Sequence, residues 1–167
     1  GGRWFVGADN GLFEMVIRRA DGEPEWWALK DEEGAASATF HGRDLFAPAA
    51  ACISMGDYPS GATGVEASPL EAARRPDWPD ELAEIVYIDS FGNAVTGVRA
   101  LAAPEDGTLI AGGKRLGRAR TFSDVPAGEA FWCENANGLV EIAVNSGRAD
   151  RALGLAVGTP VRLSEGT

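Results

Sequence analysis

The sequence predicts an α/β segment followed by an all-β segment. Three features carry that division: helical spacing of apolar residues toward the N-terminus, a stretch rich in Pro, Gly and Ser from Tyr58 to Asp80, and a change to strand patterning from Ile85 onward. The apolar content of 45% and the five tryptophans in 167 residues are enough to build a core, in one medium domain or two small ones.

In chain order, the bulk of Trp4 to Val6 predicts a short buried strand, and Asp9, Asn10 and Gly11 supply a turn. Leu12, Phe13, Val16 and Ile17 then fit one helical face. After a turn at Asp21 and Gly22, Trp26 to Leu29 reads as a strand and Asp31 to Gly34 as a polar connection; Trp26 and Trp27 are packing residues rather than a stacking platform. Asp44 can cap a helix carrying Phe46, Ala49, Ala50 and Ile53, with Pro48 near its start and Gly56 past its end, which puts His41 just before a helix N-terminus. From Tyr58 to Asp80 no apolar period is sustained, so the division falls there: residues 1–62, a linker over 63–83, and 84–167.

Beyond the linker, Ile85 to Ile88 is a continuous apolar run and Val95 to Val98 is short and β-branched. Val140, Ile142 and Val144 alternate with Glu141, Ala143 and Asn145, the period of a strand with one buried face. Val157 and Val161 to Leu163 supply a closing strand. Turns at Asp106–Gly107, Gly112–Gly113, Ala127–Gly128 and Asn137–Gly138 recur at the spacing of a small barrel or sandwich.

The net charge of -10 and a pI near 4.5 argue against nucleic-acid binding, which needs clustered Lys and Arg. The acidic balance reads as a solubility feature before a steering one. Cys52 and Cys133 lack metal or redox spacing and read as buried thiols in a reducing compartment, with no structural zinc. No apolar run is long enough to span a membrane and no signal peptide is visible, so the expected location is the cytoplasm. The chain opens on Gly1, Gly2 and Arg3 and runs directly into Trp4 to Val6, which reads as a fragment or an incomplete gene product.

His41 is the one histidine, so any imidazole base must be this residue. A helix N-terminus close by disfavours charging the ring and keeps it in the form that accepts a proton. Asp89, Ser90, Phe91, Gly92 and Asn93 follow a buried strand and combine a carboxylate, an aromatic face and an amide, fit for an ammonium group, a flat ring and a ring-edge amine. Taken alone, these residues read first as an ordinary strand-to-strand turn, and Asn135, Ala136, Asn137 and Gly138 as another turn that is a weak signal by itself.

Together, FVGADNGL from Phe5, TFHGRDLFAPAA from Thr39, IDSFGN from Ile88 and ENANGLVEIAVNSG from Glu134 resemble the successive signatures of the SAM (S-adenosylmethionine) hydroxide adenosyltransferases, and the resemblance extends over nearly the whole chain. It implies the C-terminal part of an N-terminal α/β domain over 1–62, followed by a C-terminal β-barrel over 84–167. It also implies a homotrimer with sites between subunits, and the reaction of SAM with water to adenosine and L-methionine, with no metal or cofactor. In that family a His, an Asp and an Arg handle the attacking water. The His matches His41, whereas the family's Asp and Arg belong to segments preceding FVGADNGL and are not among these residues.

The same resemblance implies that Phe40 contacts substrate, that Asp89 binds the methionine ammonium, and that Phe91 and Asn93 form the adenine pocket, with Phe122 adding a second face. Asn135, Ala136 and Asn137 would hold the methionine carboxylate, and backbone groups at Val144 and Ser146 would meet the adenine edge. The related fluorinase and chlorinase share fold and ligand; His41 followed by Gly42 resembles the hydrolase branch, where the fluorinase has tyrosine and serine. Halide-dependent SAM cleavage and a SAM- or adenosine-binding fragment without turnover are the alternative functions.

Overall fold

A computed structural model of the chain describes residues 2–31, 34, 36–56 and 65–164. The chain divides into two compact units, Gly1–Trp78 and Pro79–Thr167. Both are built from short elements; the first mixes helix and strand and the second is dominated by antiparallel β-structure.

In the first unit the expected helix is α1 (Glu14–Arg18), but the residue it buries is Glu14, at 0% exposure, while Leu12 is 66% exposed. The apolar period placed the helix correctly and misjudged its inward face. Phe13 instead packs between Phe5 and Trp26, with ring centroids 6.3 and 6.0 Å away. Trp4 to Val6 does not form the expected buried strand; Trp4 and Phe5 are 39% and 52% exposed.

Strand β1 (Trp27–Leu29) falls in the expected run and pairs antiparallel with β2 (Val65–Ala67), with Trp27 opposite Ala67. A 3-10 turn follows at Leu70–Ala73. Glu14 then gathers this segment onto α1: its carboxylate accepts the Arg75 backbone N–H at 2.6 Å and the Arg18 and Arg74 guanidinium groups at 2.8 and 3.2 Å. A buried carboxylate is tolerable only when paired and hydrogen-bonded in this way. Residues 58–64 of the Tyr58 to Asp80 stretch lie outside the described residues; from Val65 on, it carries these contacts.

The second helix starts with a π turn over Gly42–Phe46 that continues into α2 (Ala47–Ser54). Pro48 is the second residue of α2, directly after the π turn, and Gly56 follows the end with φ of +92°.

The second unit holds a four-stranded antiparallel sheet in the order β3 (Leu82–Ile88), β4 (Ala94–Arg99), β8 (Leu139–Val144), β7 (Ala130–Glu134). A three-stranded sheet has the order β6 (Lys114–Leu116), β5 (Thr108–Ala111), β9 (Arg162–Ser164). A short helix, α3 (Ala149–Leu153), follows β8 and ends on Gly154 in the left-handed conformation.

The expected barrel is not a closed one. The two sheets meet at isolated bridges, Glu84 with Pro160 and Arg118 with Trp132, instead of along continuous ladders. At the first seam Ile85 N–H donates to Thr159 O and Gly158 N–H to Ile85 O at 2.9 and 2.8 Å, and the β3–β4 ladder shifts register at Ile85.

Both sheets bury their inner faces in one core that includes Ile85, Val98, Leu109, Leu116, Trp132, Val140, Ile142 and Leu153. Each fully buried aliphatic side chain contributes roughly 1.5–3 kcal/mol. Alternation along β8 works as expected for Val140, Ile142 and Val144. Ala143 on the opposite face is buried too, in a second cluster with Phe131 and Cys133, so the middle of the sheet is covered on both sides. Thr96, fully buried, fits the apolar core by donating its hydroxyl to Val140 O at 2.9 Å and accepting Val98 N–H at 3.2 Å.

Candidate functional site

In the first unit, His41 and Phe40 sit at the start of the π turn that leads into α2. The Arg43 and Asp44 backbone N–H groups donate to Phe40 O at 3.0 and 2.9 Å, and His41 has helical dihedrals. Asp44 does not cap the helix, because it lies inside the π turn, beyond the Ncap position. Its carboxylate reaches back to accept Ser37 N–H at 2.9 Å and pairs with Arg43, whose Nη2 is 3.0 Å from Oδ2. The Arg43 hydrogen bond first, then Ser37 N–H, hold the Asp44 carboxyl below its ordinary range. Arg43 also lies over the Phe40 ring, 4.9 Å from its centroid. His41 and Phe40 are both exposed, so this turn presents an imidazole and a ring on a backbone fixed from both sides.

In the second unit the residues singled out in the sequence are sorted by strand register. Asp89 to Asn93 form the connection from β3 to β4. Asp89 Oδ1 accepts the backbone N–H groups of Phe91 and Asn93, both at 2.9 Å, and Oδ2 accepts Asn93 Nδ2 at 3.1 Å. Gly92 completes the turn with φ of +88°. Asn93 is 8% exposed while Phe91 is 74% exposed, so the loop offers an aromatic face outward and a largely sheltered amide beneath it.

Ala94 pairs with Ile142, which places the loop at the same end of the β4–β8 ladder as Val144 and Ser146. Ser146 is the one non-glycine residue with positive φ, +58°, among the described residues. Strain of this kind clusters at functional positions.

Phe122 lies toward that end as well. Its 3-10 turn, Phe122–Asp124, is fixed by a reciprocal cap between Thr121 and Asp124, and its ring stands edge-on to Phe131 at 5.3 Å. Phe131 is opposite Ala143 in the β7–β8 ladder, and Asn145 Nδ2 donates to Val125 O at 2.8 Å just past the turn. Phe122 remains 40% exposed.

Asn135, Ala136 and Asn137 lie elsewhere. They form the turn between β7 and β8, where Asn135 Oδ1 accepts Asn137 N–H at 2.9 Å and Leu139 N–H at 3.1 Å. Leu139 pairs with Arg99, so this turn is at the far end of the ladder from Asp89 and Asn93, on the order of 15–20 Å along strands that rise ~3.3 Å per residue. A pocket lined jointly by the two turns, as the resemblance leads one to expect, does not form within one unit.

The structure adds two residues that the sequence reading passed over. Arg148 donates through Nη1 to Ser90 O at 2.9 Å and grips Asp150 through Nε and Nη2 at 3.2 and 2.9 Å, while Asp150 N–H donates to Gly92 O at 3.0 Å. The hydrogen bond to Asp150 is the main cause of a raised Arg148 pKa, and the charge of Asp89 adds to it. An Arg and an Asp two residues apart after a strand carry no motif; only their position beside the loop reveals them. Among the described residues no cluster of three His, Cys, Asp or Glu side chains could hold a metal ion, and no helix is long and apolar enough to cross a membrane.

The sequence matches two family models, the SAM hydroxide adenosyltransferase N-terminal domain over residues 1–63 and its C-terminal domain over residues 83–162. An (R)-S-adenosyl-L-methionine hydrolase of Thermus thermophilus is 42% identical over 97% of this chain and 67% of its own length. Its counterpart in Salinispora arenicola is 33% identical over 96% of this chain and 65% of its own. Among solved structures, a conserved hypothetical protein from Thermus thermophilus superposes with a TM-score of 0.67 at 37% identity, covering 93% of this chain and 62% of that one. The chain thus spans about two thirds of the length of the relatives it matches.

Proposed function

Because the chain belongs to the SAM hydroxide adenosyltransferase family, we propose that the protein hydrolyses S-adenosyl-L-methionine to adenosine and L-methionine. The observation that carries this reading is the 42% identity, over nearly all of the chain, to a protein named for that activity.

Water or hydroxide attacks ribose C5′ in line with the sulfonium, the C5′–S bond breaks, and methionine leaves as a neutral thioether. The reaction needs a positioned, poorly solvated nucleophile more than a strong acid. His41 is the residue assigned to orient the water and take its proton, and an exposed imidazole on a braced turn suits that task.

At the other unit, Phe91 supplies a face for the adenine ring and Phe122 a second one. Asn93 keeps one amide proton for Asp89 and offers its remaining N–H and its Oδ1 to the base edge. Asp89 Oδ2 accepts one bond in the free protein, which leaves it a lone pair for the substrate ammonium. Backbone groups at Val144 and Ser146 complete the adenine edge. The carboxylate is assigned to the Asn135–Asn137 turn by resemblance alone, since that turn stands apart from the rest in a single unit. A homotrimer, with each first domain facing a neighbouring copy's second, would bring His41 to the ligand.

The test is incubation of the full-length protein with SAM in halide-free buffer, followed by chromatography. Adenosine and methionine are the expected products, and His41→Ala should slow their release about a hundredfold or more with little change in KM. Products that appear only with added chloride, through a halogenated nucleoside, would replace this reading with halide-dependent cleavage. Tight SAM binding without products would make the protein a binding module.

A further inference from the structure

We propose that Arg148 and Asp150 are positioning residues that lock the Asp89–Asn93 loop to the Val144–Ser146 turn, so that the two halves of the ligand-binding end are preformed before substrate arrives. This rests on the reading of that end as the adenosine side of the site.

Two chain segments far apart in sequence must meet a flat ring at once, and β4–β8 pairing controls them only up to Ala94 and Ile142, where that ladder ends. Past that point the loop and the turn need another tie. The structure supplies a pair of crossed hydrogen bonds: the Arg148 side chain holds Ser90 O at 2.9 Å, and the Asp150 backbone N–H holds Gly92 O at 3.0 Å. These carbonyls flank Phe91, the ring exposed for stacking.

Asp150 keeps the arginine aimed. Both of its carboxylate oxygens face the guanidinium, which fixes that planar group and aims an Nη1–H at Ser90 O. Oδ1 in turn accepts the Arg151 backbone N–H at 2.8 Å. The fit is close enough that a Cβ on Gly92 would lie 2.6 Å from Asp150 Oδ1 and 2.8 Å from Arg148 Cβ and Nε.

The pair is partly open to solvent, with side-chain exposures of 35% and 19%, and ion pairs of that kind contribute little to global stability. Its effect is therefore local. Removing it frees the loop without unfolding the sheet, and a ligand must then order the loop as it binds.

Pairing with Asp150 also restrains the Arg148 cation beside Asp89. Released from Asp150, the guanidinium would turn to the Asp89 carboxylate and compete with the substrate ammonium. Loss of Asp150 should accordingly harm SAM more than adenosine, which carries no ammonium group, whereas loss of Arg148 should harm both alike.

The experiment combines amide hydrogen exchange of the free protein with adenosine titration calorimetry and SAM kinetics, for wild type, Arg148→Ala, Arg148→Lys and Asp150→Asn. We expect Arg148→Ala to speed exchange at Phe91 to Asn93 while the β4 and β8 amides stay protected. It should weaken adenosine binding and raise KM for SAM about tenfold each, and change kcat less than twofold. Lysine, which can reach Ser90 O but cannot grip Asp150 with a planar fork, should restore part of the affinity. Asp150→Asn should raise KM for SAM several-fold more than it weakens adenosine. Faster loop exchange with unchanged affinity would overturn the positioning role, as would unchanged exchange in Arg148→Ala or equal losses for both ligands in Asp150→Asn. If Arg148→Ala loses protection throughout the second unit, the lysine variant decides by the same criteria. A wild-type protein that binds neither ligand would remove the functional reading itself, and that outcome is visible before any variant is made.

Discussion

Replacing Gly92 by alanine separates two costs that glycine avoids at once, the left-handed backbone and the close approach of Arg148 and Asp150. At φ of +88° an L-residue is strained by about 1–2 kcal/mol. A Cβ there would also stand 2.6 Å from Asp150 Oδ1, and the carboxylate cannot step aside freely because Arg148 and Arg151 N–H hold it. Overpacking of a constrained contact adds about 1–3 kcal/mol. Gly138 provides the control: its φ is +75°, but the nearest atom to an added Cβ is Glu134 Oε1 at 4.0 Å, so only the backbone cost applies. For a unit of this size, each 1 kcal/mol corresponds to roughly 4–8 °C in melting temperature. Thermal unfolding of the second unit, followed by protection of the β4 and β8 amides, should show Gly138→Ala lowered modestly. Gly92→Ala should fall by at least a further ~4 °C. Equal shifts would refute the claim that the loop is packed against the Arg148 and Asp150 pair.

Three other outcomes follow from the same structure. The Glu14 carboxyl is lowered from 4.5 to about 2, first by Arg75 N–H and then by Arg18 and Arg74. Its stabilising effect is complete above pH ~4.5 and disappears as pH falls toward 2. Urea unfolding, read by Trp4, Trp26, Trp27 and Trp78 in the first unit, should lose stability across that window. Glu14→Gln should be less stable at pH 7 with a flatter acid profile, and parallel profiles would count against the ion cluster. Burial, then the charge of Glu141, pushes the Cys133 thiol up to about 11, so mass-mapped alkylation at pH 8 should label the half-exposed Cys52 well before Cys133. Asn93→Ala removes the amide beneath Phe91 and frees Asp89 Oδ2, and adenosine affinity by calorimetry should drop about tenfold or more. An unchanged affinity would take Asn93 out of the binding site.

The sequence by itself determined what local chemistry can determine. Alternation at Val140, Ile142 and Val144 announced β8 and its buried face, because side chains in a strand alternate whatever surrounds it. Pro48 and Gly56 bracketed α2 through their own backbone limits. The runs TFHGRD and IDSFGN pointed to the family, and its N-terminal and C-terminal models cover one run each.

What required the tertiary structure was everything decided by distant partners. Leu12 fits an apolar stripe yet faces out, while Glu14 goes in, because Arg18, Arg74 and Arg75 N–H converge on it. Trp4 to Val6 has the bulk of a strand and does not form one. Asp89 and the Asn135 turn look alike as polar connections, and only register assigns them to opposite ends of β4 and β8. Arg148 and Asp150 carry no sequence signal, since their meaning lies in carbonyls some sixty residues earlier in the chain. Side-chain periodicity is a property of the segment, whereas a hydrogen bond to a partner far along the chain exists only after the sheet has brought that partner alongside.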